Sequence, residues 1–200
     1  QGKDPMIKGI IFDLDGTLIQ LSINYDVIQN NLKQFFSTSK NLKPLIPTII
    51  ELSKNDQNKI KTAFNLICKE EILASKNFKI MNEAVDVLKF LKSKNLILCL
   101  VTMQCRTALK EILYKMNILD LFDFVISRDE NYDRFEQIQN SLKYSSLNPS
   151  EVLVIGDRIH DVESAKKAGC IPILKINDIK KYPSFDCKTI QNLIEIKKII

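Results

Sequence analysis

A short apolar run that ends in two acids limits the possible folds of this chain more than any other stretch. Residues 7–12 predict a strand of a parallel sheet, because such strands are buried on both faces. Asp13 and Asp15 follow on the same side of the extended backbone, and Gly16 permits a sharp turn. Ligands bind beyond the carboxyl ends of such strands, so this pair favours a divalent cation or a nucleophile with an acid–base partner. The alternative is an ordinary Asp-Gly turn.

Apolar runs and amphipathic stretches alternate along the chain from about residue 80 onward. Strands are predicted at residues 96–101, 122–126, 152–155 and 171–174. Helices are predicted at residues 83–93, 107–116, 134–142 and 161–168, with a closing helix from Thr189. Strands that alternate with helices in this way predict an α/β fold with a doubly wound parallel sheet.

Residues 20–79 differ from the rest, because they contain helical patterns and no convincing strand. Apolar residues at helical spacing predict helices at residues 25–37, 47–53 and 56–75, and Asn24 is a candidate N-cap for the first. A parallel sheet has no need of such a block, so we expect a small, inserted, all-helical domain. The α/β core then comprises residues 6–19 and 80–200, and residues 1–5 are left out of the prediction.

Composition argues against several classes of function. The net charge of +5 includes no dense basic run, so nucleic-acid binding is not indicated; a solvated surface or a weak preference for anionic substrates explains the charge. No apolar run approaches the roughly 18 residues needed to span a bilayer, and the start of the chain lacks a signal-peptide pattern. The five cysteines are scattered and lack a C-x-x-C pair, which argues against a disulfide framework or a zinc site. We therefore expect a reducing, cytoplasmic location.

Polar side chains follow four of the predicted strands, and in a parallel sheet all of these ends lie on one edge. These residues are Asp13 and Asp15, Thr102, Arg134, and Asp157 with Asp161. Converging carboxylates need a counter-charge, and a hard cation bound by oxygen atoms, most simply Mg²⁺, supplies it. The alternatives are a helix-capping acid at Asp161, a strand-ending Thr102 and a surface Arg134. His160 is the only histidine, and we expect it to face solvent or the edge of a substrate.

These motifs, in this order, resemble those of the haloacid dehalogenase-like hydrolase superfamily over residues 7–175, and the phosphoglycolate-phosphatase-like branch in particular. In that branch the helical insertion after the first motif is a cap domain, which corresponds here to residues 20–79. Two departures stand out. The usual asparagine after the second-motif hydroxyl is replaced by Met103, and the usual Lys-Pro of the third motif is missing. Arg134 is the best substitute for that lysine, ahead of Arg128 and Lys143.

The resemblance implies a Mg²⁺-dependent phosphatase acting on a small phosphate ester. Asp13 would be the nucleophile and a metal ligand, and Asp15 would be the acid and base and would bind Mg²⁺ through its backbone carbonyl. Asp157 would bind the metal directly and Asp161 through water, while Thr102 and Arg134 would hold the phosphoryl oxygens. A second carboxylate favours ester cleavage over dehalogenation, because an alkoxide leaving group needs a proton. A phosphomutase and a catalytically inactive binding protein are the alternatives.

Overall fold

The computed structural model describes residues 6–176 and 186–200. The strands are β1 (Gly9–Asp13), β2 (Ile19–Gln20), β3 (Lys79–Ile80), β4 (Ile97–Val101), β5 (Phe124–Ile126), β6 (Val152–Gly156), β7 (Ile171–Lys175) and β8 (Lys188–Ile190). The helices are α1 (Tyr25–Phe36), α2 (Leu45–Ser53), α3 (Gln57–Ala74), α4 (Ala84–Ser93), α5 (Arg106–Met116), α6 (Arg134–Ser145) and α7 (Ile159–Lys167). Short 3₁₀ segments lie at Leu119–Leu121, Pro149–Glu151 and Leu193–Lys198.

Six strands form one parallel sheet in the order β5-β4-β1-β6-β7-β8. Successive residues of β1 pack on opposite faces: Ile10 belongs to the hydrophobic cluster that includes α4 and α5, and Ile11 to the cluster that includes α6 and α7. This double burial is the reason that the strand sequences show apolar runs rather than alternation. The predicted doubly wound α/β fold is confirmed, and the predicted elements of the core agree with the structure to within three residues at each end, apart from the closing helix.

The three helices α1, α2 and α3 have a hydrophobic core of their own, which includes Ile28, Leu32, Ile49 and Ile67. The Asn24 side chain caps α1 by accepting the Val27 N–H at 3.2 Å, as expected. The two-stranded antiparallel sheet β2–β3, which the sequence analysis missed, stands where the chain enters and leaves this helical unit. Two-residue strands are too short to leave a periodic pattern.

Two expectations are wrong. The tail does not form a closing helix from Thr189, because this residue lies in β8, which pairs with β7, and only a 3₁₀ segment follows. β-branched residues such as Thr189 and Ile190 favour a strand once a sheet edge is available, and the sequence alone does not reveal that edge.

The second wrong expectation concerns the cysteines. Cys68 of α3 and Cys105, which precedes α5, form a disulfide across a sequence separation of 37 residues. Cys99, Cys170 and Cys187 are free thiols. An odd count of scattered cysteines does not exclude a pair, because the fold rather than the spacing brings the two sulfur atoms together. Among residues 6–176 and 186–200, no helix is long and apolar enough to cross a membrane.

Candidate active site

Three carboxylates meet at the carboxyl edge of the sheet. Asp13 ends β1, Asp157 follows β6, and Asp161 lies in the first turn of α7; one oxygen atom from each lies within 4.8 Å of the others. They converge because β1 and β6 are neighbours in the sheet. Gly16, at φ +86°, borders this cluster so closely that a Cβ atom there would collide with the Asp157 carboxylate. The turn after β1 therefore requires glycine for its backbone angle and for the space.

Arg134, the first residue of α6, ties two of these acids together. Its Nη2 atom lies 2.6 Å from Oδ1 of Asp13, and its Nε atom lies 3.0 Å from Oδ1 of Asp161. Gln137, one turn later, accepts a hydrogen bond from Nη1 at 3.1 Å. The structure thus brings Arg134 into the acidic cluster. The other two candidates for the third motif lie elsewhere: Arg128 pairs with Glu71, and Lys143 is exposed in the last turn of α6.

Burial and mutual repulsion make the charged form of these acids costly. Burial, with the like charges of Asp161 and Asp157, raises the pKa of Asp13 from 3.8 to about 8, although Arg134 opposes the shift. Burial, with the charges of Asp161 and Asp15, raises the pKa of Asp157 to about 6, although Arg158 opposes it. A divalent cation relieves this repulsion, and oxygen donors suit Mg²⁺. The residues present therefore fit the predicted metal.

Asp15 stands apart from the three-carboxylate cluster. Its Oδ1 atom accepts the Leu21 N–H at 2.8 Å, and burial raises the pKa of its half-buried carboxyl group. Together with Met81 and Arg158, Asp15 lines a cleft of about 400 Å³ beside the helical unit. A carboxyl group with a raised pKa that borders an open cleft is suited to exchange protons with a bound molecule.

Thr102 directly follows β4, the strand beside β1. It is buried, and its hydroxyl oxygen accepts the Gln104 N–H at 3.1 Å. Its backbone carbonyl accepts a hydrogen bond of 2.8 Å from Gln137, the residue that also contacts Arg134. Thr102 therefore belongs to the same edge of the sheet, and Gln137 links its loop to the arginine that holds Asp13.

The sequence analysis missed three residues at this edge. Burial acts to lower the pKa of Arg158, but the nearby Asp13, Asp157 and Tyr25 hydroxyl together raise it. Lys175 ends β7, and burial lowers its pKa while the charge of Asp157 opposes the change. The sequence contains a signal for Arg158, which directly follows Asp157, and for Lys175, a lysine at the end of an apolar strand. It contains no such signal for Tyr25. His160 is exposed in the first turn of α7.

Comparison with known proteins places this site in context. A family model of haloacid dehalogenase-like hydrolases matches residues 10–174. Pyrophosphatase PpaX from Oceanobacillus iheyensis is 27% identical over 176 residues, which cover 81% of this chain and 80% of that protein. Phosphoglycolate phosphatase from Aquifex aeolicus is 25% identical over 176 residues, which cover 82% of each. The crystal structure of a HAD phosphatase from Thermococcus onnurineus superposes with a TM-score of 0.69 at 21% identity, covering 96% of this chain and 97% of that one.

Proposed function

Because the chain belongs to the haloacid dehalogenase-like hydrolase family and its relatives support a phosphatase, we propose that it is a Mg²⁺-dependent phosphomonoester hydrolase. The reaction would pass through an aspartyl-phosphate on Asp13. One observation carries the proposal. Asp13 is buried in a cluster with Asp157, Asp161 and Arg134, while Asp15, two residues later, borders the open cleft that Asp157 also lines. Nucleophile and proton donor are thus held separately.

In the proposed first step, a carboxylate oxygen of Asp13 attacks phosphorus and the bond to the ester oxygen breaks. Asp15 transfers its proton to the departing alkoxide. In the second step, Asp15 removes a proton from water, the water oxygen attacks phosphorus, and the bond to Asp13 breaks to release inorganic phosphate. Arg134 orients the nucleophile and, together with Thr102, would hold the phosphoryl oxygens.

Mg²⁺ would be held by Asp13, Asp157 and the backbone carbonyl of Asp15, with Asp161 bound through water. When bound, the cation neutralises charge on the phosphoryl group and on the attacking carboxylate. The carboxylate oxygens of Asp13, Asp157 and Asp161 cluster, and the raised pKa values of Asp13 and Asp157 mean that these acids resist losing their protons together. A bound cation would favour their ionised forms, which supports this assignment.

We propose residues 20–79 as the cap that covers the site, and residues 6–19 and 80–200 as the core. The cleft supports this division, since it is lined by Asp15 and Arg158 of the core and by Gln20 and Leu21 at the start of the cap. Substrates are expected to be small phosphate esters, and phosphoglycolate is the first to test; pyrophosphate, an anhydride, is the second, because two relatives are named for these compounds. The cytoplasmic location remains a prediction that the disulfide does not favour.

Replacing Asp13 tests the function. Asp13→Asn should fold but lose more than about 10³-fold in kcat on any phosphate ester that the wild-type protein hydrolyses, because an amide is a poor nucleophile. Phosphate release from a panel of phosphorylated metabolites, with Mg²⁺ and with EDTA, measures this. Asp86→Asn changes an exposed acid of α4 and serves as the control. Undiminished turnover by Asp13→Asn would disprove the proposed nucleophile.

A further inference from the structure

A buried ion pair joins the cap to the core away from the acidic cluster. Glu71 of α3 and Arg128, in the loop after β5, are 3% and 2% exposed. Nη1 of Arg128 lies 2.5 Å from Oε1 of Glu71, and Nη2 lies 2.9 Å from Oε2, so the contact is bidentate. The guanidinium also lies over the ring of Phe64, another residue of α3, at 5.0 Å from its centroid.

Both partners of this pair also hold the loop of residues 102–105. The Oε2 atom of Glu71 accepts the Cys105 N–H at 2.9 Å. Nη1 of Arg128 donates to the Met103 carbonyl at 2.6 Å, and its backbone N–H donates to the Gln104 carbonyl at 3.1 Å. Three consecutive residues after Thr102 thereby hydrogen-bond to two residues, Glu71 of the cap and Arg128: Met103 and Cys105 to their side chains, and Gln104 to the Arg128 backbone N–H.

The disulfide repeats this connection covalently. Cys68 precedes Glu71 by three residues, which places both on the same face of α3, and Cys105 ends the loop that Glu71 contacts. α3 is therefore joined to this loop by the disulfide and by the hydrogen bond from the Cys105 N–H to Glu71, and the ion pair joins it to Arg128, which also holds the loop.

Stability alone does not account for the ion pair. Replacing a buried ion pair with apolar residues of similar volume is often neutral or stabilising, because the pair must be desolvated. Apolar side chains, however, could not accept the Cys105 N–H or donate to the Met103 carbonyl. The contribution specific to this pair is the conformation of the loop, and that loop carries the hydroxyl of Thr102.

We propose that Glu71 and Arg128 are positioning residues through which α3 of the cap sets the loop of residues 102–105 for phosphoryl binding. The proposal rests on the proposed phosphatase function, with Thr102 as a phosphoryl ligand. Neither side chain acts on the substrate directly. When the pair is absent, the loop that begins at Thr102 loses two hydrogen bonds, and the Thr102 hydroxyl is less firmly positioned.

The test separates stability from positioning with the double variant Glu71→Met/Arg128→Met. We expect its midpoint of urea unfolding to fall only modestly, because both charges leave together and only two backbone groups lose their partners. We expect its kcat/KM to fall about 10- to 100-fold and its inhibition by inorganic phosphate to weaken about tenfold, since a small misplacement of a binding group is costly. Lys40→Gln/Glu51→Gln removes an exposed ion pair within the cap and should change neither quantity.

A conservative variant covers the case in which the double variant does not fold. Glu71→Asp keeps the charge but shortens the side chain by one methylene, so it should fold and still lose about tenfold in kcat/KM. Wild-type kinetics and phosphate inhibition in whichever of the two variants folds would overturn the positioning role. If the wild-type protein itself releases no phosphate from any ester, the proposed function fails. If the wild-type protein and the variants are equally active, only the positioning role fails.

Discussion

Two arginines near the acidic cluster have different surroundings. Arg134 is 5% exposed, and its guanidinium group contacts Asp13, Asp161 and Gln137. Arg158 is exposed and lines the cleft near Tyr25 of α1. Among the described residues that line this cleft, Arg158 is the only cation. We therefore predict that a second negative group on a substrate meets Arg158.

Arg158→Gln should change specificity rather than chemistry. We expect kcat/KM for phosphoglycolate to fall about 10- to 100-fold, mostly through KM, because a charge-assisted hydrogen bond to its carboxylate is lost. With p-nitrophenyl phosphate, whose leaving group is uncharged until the ester bond breaks, the change should stay below about threefold. Steady-state kinetics with both substrates measure the ratio.

Arg106→Gln is the matched control, because Arg106 binds Glu130 away from the cleft. Equal losses on both substrates in Arg158→Gln would mean that this arginine serves the phosphoryl group or the charge balance of the acids. Its assignment to the leaving group would then be wrong.

At the scale of elements, the parts that could be predicted are those with a local pattern. The strand before Asp13 is buried on both faces, and the resulting apolar run is visible without any partner. The carboxyl ends of parallel strands share one edge, so the meeting of Asp13 with Asp157 followed from the fold class alone.

Contacts between distant elements left no such pattern. Glu71 and Arg128 are 57 residues apart. The local sequence around each residue gives no sign of the other. The same holds for Cys68 and Cys105, and for β8, which becomes a strand only because β7 offers it an edge. Pairing of this kind is decided by three-dimensional packing, which one sequence does not encode in any periodicity.

The disulfide makes the docking of α3 dependent on redox conditions. Cys105→Ser should lower the free energy of unfolding by about 2–4 kcal/mol under oxidising conditions, because a closed loop in the unfolded chain is opened. With a reducing agent present throughout, the wild-type protein and the variant should unfold at nearly the same urea concentration. Urea titrations with and without dithiothreitol measure the difference.

Thiol counting provides an independent check on the same bond. The denatured, unreduced wild-type protein should show three free thiols, and reduction should raise the count to the five cysteines of the sequence. Cys187→Ser removes a free thiol and should leave the redox dependence of unfolding unchanged. Five free thiols before reduction would exclude the disulfide in the isolated protein.

At the scale of the whole molecule, a net charge of +5 coexists with an acidic cluster in which Asp13 and Asp161 are buried and Asp157 is half-buried. The pKa of Asp13 rises from 3.8 to about 8 on folding, and that of Asp157 rises to about 6. At pH values between the ordinary pKa of 3.8 and these raised pKa values, the folded chain keeps protons that the unfolded chain releases. Without a divalent cation, its stability should therefore fall as pH rises from about 4 to about 8.

Mg²⁺ should reverse this trend, because its carboxylate ligands must lose their protons before they bind it. We expect the increase in melting temperature on adding Mg²⁺ to be near zero at about pH 5 and several degrees at about pH 8. Calorimetric melting curves in EDTA and in excess Mg²⁺ measure both effects. Asp13→Asn should flatten the pH dependence in EDTA and abolish most of the Mg²⁺ effect, whereas Asp86→Asn should do neither. Equal stabilisation by Mg²⁺ at both pH values would show that the cation binds elsewhere than at the buried acids.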